Sequence, residues 1–111
     1  MNKRVVITGL GIVSSLGRNQ QEVLQSLQQS QSGISFSQQY ADLGLRSNVH
    51  GAVPELEVGH VIDRKMQRFM ADAAVYSALA LHEAIEESGL TTEQVSHPRT
   101  GLIMGSGGAS N

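Results

Sequence analysis

The chain of 111 residues has no cysteine and no tryptophan, and only two prolines. Lack of cysteine excludes disulfides, zinc–thiolate sites and a thiol nucleophile within these residues, and is neutral on redox compartment. With two Phe and two Tyr, any core must be built from Val, Ile, Leu, Ala and Met. Neither sign of charge dominates. Eight Lys and Arg stand against ten Asp and Glu, for a net charge of −2 and a pI near 6.0. Such a balance gives no global attraction to nucleic acid or to an anionic membrane, so an anionic partner needs a local basic cluster. No apolar run approaches the roughly 20 residues of a membrane span. Lys3-Arg4 before Val5–Val13 imitates a signal peptide, but that run is short, holds two glycines and lacks an Ala-x-Ala site. A cytoplasmic location is expected. The length allows one small domain that buries roughly two-thirds of its unfolded surface.

The strongest signal opens the chain. Val5-Val6-Ile7-Thr8 has strand length and β-branched composition, and its unbroken apolarity predicts a strand buried on both faces at the centre of an α/β sheet. Gly9 and Gly11 interrupt it before Ile12-Val13 and Ser14-Ser15-Leu16-Gly17. Asn19 and Glu22, three apart, have capping-box spacing and predict a helix with Val23, Leu24 and Leu27 on its apolar face, stopped by Gly33. From Ile34 to Ile62 periodicity is weak, with a candidate short strand at Asn48–Val53. So long a stretch holds short irregular elements or packs on something outside this chain. From about Asp63 to Ser88 the 3/4 spacing of Met66, Phe69, Met70, Ala73, Ala74, Ser77, Leu81, Ala84 and Ile85 predicts one long helix ending at Gly89. Between Phe69 and Leu81 it is apolar nearly all round, which requires cover on most sides. Its last turns, with Glu83, Glu86 and Glu87, read as solvated. Thr91-Thr92-Glu93 opens another short helical turn. Thr100–Met104 reads as a second buried strand, running into the glycine-rich Gly105–Asn111. Such a loop is normally followed by what it positions, so the chain reads as cut in mid-architecture.

Two glycine turns after strand signals raise dinucleotide binding, which needs G-x-G-x-x-G directly before a helix. The sixth position is Ser14 in one turn and Ser110 in the other, and no P-loop lysine follows either. Both turns fail the fingerprint. His50, His60, His82 and His97 fall at no metal-ligand spacing and read as surface or loop histidines, with His60 and Asp63 the nearest ligand-like pair. Ser14 and Ser15 lack a nucleophile-elbow setting and read as turn or pocket residues.

Arg64-Lys65-x-x-Arg68 is the one dense basic cluster. Its bland reading is a solvated turn with Arg68 paired to Asp72 at i,i+4. Its functional reading is a docking patch for an acidic partner, which would explain cations set against the helix macrodipole. Residue physics alone favours the bland reading.

Several stretches in order resemble one family. They are Val5–Gly17, Gln20-Gln21-Glu22-Val23, Ser32-Gly33-Ile34, Ile62-Asp63-Arg64-Lys65-x-x-Arg68-Phe69-Met70-x-Asp72-Ala73, Ser88-Gly89-Leu90 and Gly101-Leu102-Ile103-x-Gly105-Ser106-Gly107-Gly108. Together they resemble the start of the beta-ketoacyl-acyl-carrier-protein synthases, thiolase-fold condensing enzymes. The Gly-Ile-Val-Ser-Ser-Leu-Gly turn favours the type I branch. The resemblance implies an α/β fold, the thiolase-like αβαβα layered architecture, of which residues 1–111 form an incomplete N-terminal half. It implies a cytoplasmic homodimer that elongates fatty acyl chains by decarboxylative condensation, with no cofactor, and with acyl carrier protein bearing acyl or malonyl thioesters as partner. The family's catalytic cysteine, two histidines and lysine have no counterparts here and are expected beyond Asn111. The chain alone is then expected to be inactive. The resemblance carries Arg64, Lys65 and Arg68 to the carrier-protein docking patch, reversing the preference above, and Gly107 and Gly108 to a loop lining the acyl pocket. Ala109 stands where relatives often have a third glycine. The competing expectation is a small non-enzymatic α/β binding or interaction module.

Overall fold

The computed structural model describes residues 2–108. Ala109, Ser110 and Asn111, in the predicted glycine-rich loop, lie outside the described residues. The chain divides into two compact units, Ile12–Leu56 and Met1–Gly11 with Glu57–Asn111.

The Ile12–Leu56 unit opens on a tight turn. Ser14 and Gly17 exchange both backbone hydrogen bonds, at 2.9 and 3.2 Å, and Ser14 Oγ accepts from Leu16 N at 3.1 Å. Ser14 is therefore a turn-former, as its sequence setting suggested. Helix α1 (Gln20–Gln28) starts where Asn19 Oδ1 accepts from Glu22 N at 2.9 Å. The capping box is altered, however. Glu22 turns back one residue further, accepting from Arg18 N at 2.8 Å and Arg18 Nη2 at 2.6 Å. Ser26 Oγ donates to Leu16 O at 2.7 Å and ties the helix to the turn.

Helix α1 ends well before Gly33. Ser30 takes φ +52°, its N–H donates to Leu27 O and the Gln31 N–H donates to Ser26 O. That pair of bonds is a Schellman motif with serine in the left-handed position usually held by glycine. Of the predicted apolar stripe only Val23 is buried, while Leu24 and Leu27 are exposed.

The weak-signal region does hold short elements. Strand β1 (Ser35–Phe36) pairs antiparallel with β2 (Val49–His50), Phe36 opposite Val49, and helix α2 (Gln38–Asp42) lies between them in sequence. Ser37 is buried. It caps α2 by accepting from Tyr40 N, while its own N–H reaches Asn48 O at 2.7 Å. The Tyr40 and His50 rings meet edge-on at 5.5 Å.

In the other unit the predicted single helix is two. Helix α3 (Arg64–Gln67) is capped by Asp63, whose Oδ1 accepts from Lys65 N at 3.3 Å. The next bonds, Phe69 N to Met66 O and Met70 N to Gln67 O, close it with i→i+3 turns. The backbone then extends at Ala71 (φ −71°, ψ 161°) before helix α4 (Asp72–Ser88). No proline or glycine marks this break, and the apolar spacing runs straight across it, so periodicity could not reveal it. Asp72 serves the first turn of α4, where a carboxylate suits the macrodipole. Gly89 ends α4 at φ +69°, and helix α5 (Thr92–Val95) follows with a complete Thr91/Gln94 capping box.

The opening segment lies along α4. A Cβ placed on Gly9 would strike the carbonyl of Ala84, and one on Gly11 the carbonyl of Ala80. An extended chain advances about 6.6 Å over two residues. A helix advances about 6 Å over four. Alternate glycines therefore meet alanines one turn apart. Leu10 N, between them, donates to Glu87 Oε2 at 2.6 Å. The His82–Glu86 pair at 3.3 Å engages a second acid of this helix. The end of α4 is thus not simply solvated.

Neither predicted central strand is formed among the described residues. Val5–Ile7 and Leu102–Met104 belong to no ladder, and Val5 and Ile103 are 92% and 97% exposed. A two-sided buried strand needs hydrogen-bonded neighbours and covering layers. Here the sole described sheet is β1–β2. The described residues are mixed helix and strand, with one small antiparallel sheet. Among the described residues only Val23, Ile62 and Val75 are buried apolar residues. Helix α4 is half-buried from Tyr76 to Ile85, less than its apolar circumference calls for.

Candidate functional site

Helix α3 presents the basic cluster. Arg64, Lys65 and Arg68 are exposed and Gln67 is half-buried. Positions i, i+3 and i+4 share a helix face, and Arg64, Gln67 and Arg68 line one open depression. Lys65, one residue on from Arg64, is turned about 100° away around the axis. The expected Arg68–Asp72 pair does not form, whereas Arg18 and Glu22 do pair at 2.6 Å. Two like charges at i,i+4 without a counter-ion cost a few tenths of a kcal/mol. The bland reading of this cluster loses its ion pair, while the solvation it expected is present, all three cations being exposed. Met66 and Phe69 lie beside the cations, with Phe69 90% exposed, so the surface is basic with an apolar margin.

A second concavity of about 570 Å³ runs between α4 and the segment ending at Gly108, lined by Phe69, Met70, Leu81, Leu102, Met104 and Gly108 among others. Of the two glycines the resemblance assigns to an acyl pocket, Gly108 lines this cleft and Gly107 does not. Added Cβ atoms at both would meet open space, so packing within this chain does not demand glycine at either position. The Ser106 hydroxyl donates to Gly108 O at 3.0 Å and shapes the loop. The described lining of the cleft is mostly apolar, with Ser77 and Ser106 as its hydroxyl groups, a surface suited to an apolar chain. Sequence reasoning found the glycines but missed the α4 side of this cleft, because Phe69, Met70 and Leu81 read as ordinary core residues.

The Gly9-x-Gly11 turn proves to be a packing device against Ala80 and Ala84, not a phosphate cradle. Two of the four histidines meet. His60 and His82 rings meet edge-on at 5.9 Å, and no three His, Asp or Glu side chains among the described residues form a group fit for a metal.

Two carboxylates titrate below their ordinary range. Hydrogen bonds from the Arg18 side chain and then its backbone N–H lower Glu22. Backbone and then Thr91 hydroxyl hydrogen bonding lower Glu93. Both groups stand in the first turn of a helix, so their shifts are architectural. No described helix is long and apolar enough to cross a membrane.

Comparison with known proteins accounts for this arrangement. The chain is 56% identical over 109 residues to 3-oxoacyl-acyl-carrier-protein synthase 1 of Escherichia coli K12, covering 97% of this chain and 27% of that protein. It is 49% identical over 108 residues to the synthase 1 of Haemophilus influenzae, covering 97% and 26%. Against the synthase 2 of Coxiella burnetii identity falls to 30% over 105 residues, covering 95% and 25%, in line with the type I character of the Ile12–Gly17 turn. The chain spans about a quarter of the length of these relatives. The family profile described as beta-ketoacyl synthase, N-terminal domain, matches residues 2–111. The chain therefore belongs to the beta-ketoacyl synthase family, within that family's N-terminal domain.

Proposed function

We propose that the chain is the opening part of a type I condensing enzyme that extends fatty acyl chains by decarboxylative condensation of acyl and malonyl groups held on acyl carrier protein. The observation that carries this reading is the 56% identity across 97% of the chain to a synthase 1. In this reading residues 1–111 form an incomplete part of a thiolase-like αβαβα half. Val5–Ile7 and Leu102–Met104 become central strands once neighbouring strands and layers cover them. Their present exposure supports that role better than a self-contained binding module, which would need a core larger than three buried apolar residues. The condensation itself requires an acyl-accepting nucleophile and groups to stabilise the developing oxyanion, and no cysteine is available here.

The chain's own contribution is binding. Arg64, Lys65 and Arg68 attract the acidic carrier protein, and the loop holding Gly107 and Gly108, of which Gly108 lines the apolar cleft beside α4, contributes to the acyl pocket. The whole enzyme works as a homodimer in the cytoplasm. A mass-spectrometric condensation assay with acyl- and malonyl-carrier protein tests the division of labour. The 111-residue chain is expected to give no 3-oxoacyl product above a protein-free control, and turnover by it would overturn the assignment of the chemistry to other residues.

A further inference from the structure

We propose that Gln67 is a specificity-determining residue of the α3 surface, completing a seat for one carboxylate of the acidic partner between Arg64 and Arg68. The inference rests on the docking reading above and goes beyond it, since that reading assigns only cations. Three observations carry it. Arg64, Gln67 and Arg68 line the same depression and Lys65 does not. Among the described residues no side-chain hydrogen bond or ion pair engages any of the three. Gln67 is half-buried and lies on the face it shares with the two exposed arginines.

Two planar guanidinium forks with a planar amide between them match the planar, acceptor-only shape of a carboxylate. A point charge such as Lys65 supplies attraction without that geometry. The partner chemistry is thus a carboxylate on the carrier protein's surface, gripped by Arg64 and Arg68 while the Gln67 amide donates a further hydrogen bond. Lys65, on a neighbouring face, strengthens encounter through its charge.

The test is titration of the intact protein with acyl carrier protein at low and at moderate salt, comparing wild type, Gln67→Met and Gln67→Glu. Gln67→Met keeps length and removes the donor. It is expected to weaken binding about threefold and to leave the salt dependence unchanged. Gln67→Glu adds a negative charge at the seat and is expected to weaken binding about tenfold at low salt, with a shallower salt dependence. A purely structural role for Gln67 would move the unfolding midpoint and leave the salt dependence of both variants alike. Wild-type affinity in both variants would overturn the inference. If Lys65→Glu with Arg68→Glu also bound normally, the docking reading itself would fail, whereas loss in that double variant alone would sink only the role of Gln67.

Discussion

At the residue scale, Ser30 holds the left-handed position of a Schellman motif, φ +52°, where a β-carbon costs roughly 1–2 kcal/mol. Ser30→Gly relieves that cost, offset in part by greater freedom of the unfolded chain. The expected result is a gain of about 0.5–1 kcal/mol, read as slower amide exchange at the end of α1. Glu22 makes a second residue-level prediction. Its folded pKa is lowered by the Arg18 hydrogen bonds, so its contribution to stability is complete above the ordinary carboxylate pKa and is lost as pH falls through the depressed folded value. Arg18→Ala should bring the Glu22 midpoint back up toward the ordinary range in a carboxyl NMR titration. An unmoved midpoint would contradict the assigned cause.

At the scale of elements, Gly9 and Gly11 bring the opening segment so close to α4 that neither position has room for a β-carbon. Gly11→Ala drives a methyl into the Ala80 carbonyl, and such overpacking costs about 1–3 kcal/mol. Protection of α4 amides near Ala80 should fall accordingly, while α1 is unaffected. Caps were the most legible elements. Asn19, Thr91 and Gly89 each act through a bond made by nearby chain, so a single sequence carries the information, although the Gln94 half of the Thr91 capping box was not read from it. The break at Arg68–Ala71 was illegible because the apolar period continues through it. The end of α1 was illegible because serine stands where glycine would announce a stop. The basic cluster was visible as charge, whereas Gln67 offered no signal until α3 set it on the same face as Arg64 and Arg68.

At the scale of the whole molecule, the two strand signals are the instructive failures. Val5–Ile7 and Leu102–Met104 carry the composition of buried strands, but β structure is non-local, and a strand forms only beside a neighbour. Large exposed apolar residues, Val5, Ile7, Phe69 and Ile103 foremost, exceed what a stable monomer usually leaves uncovered. The isolated 111-residue chain is therefore expected to self-associate, with light scattering above monomer size and a broad, weakly cooperative calorimetric transition. A sharp two-state transition from a monomer would favour the small-module reading instead.

The central claim is that this chain supplies the surface by which a condensing enzyme meets its carrier protein. Its most direct test is the affinity of the intact protein for acyl carrier protein at low salt, with Lys65→Glu and Arg68→Glu combined. The account predicts a loss of about tenfold or more, diminishing as salt screens the pair of surfaces. Unchanged affinity at low salt would contradict it.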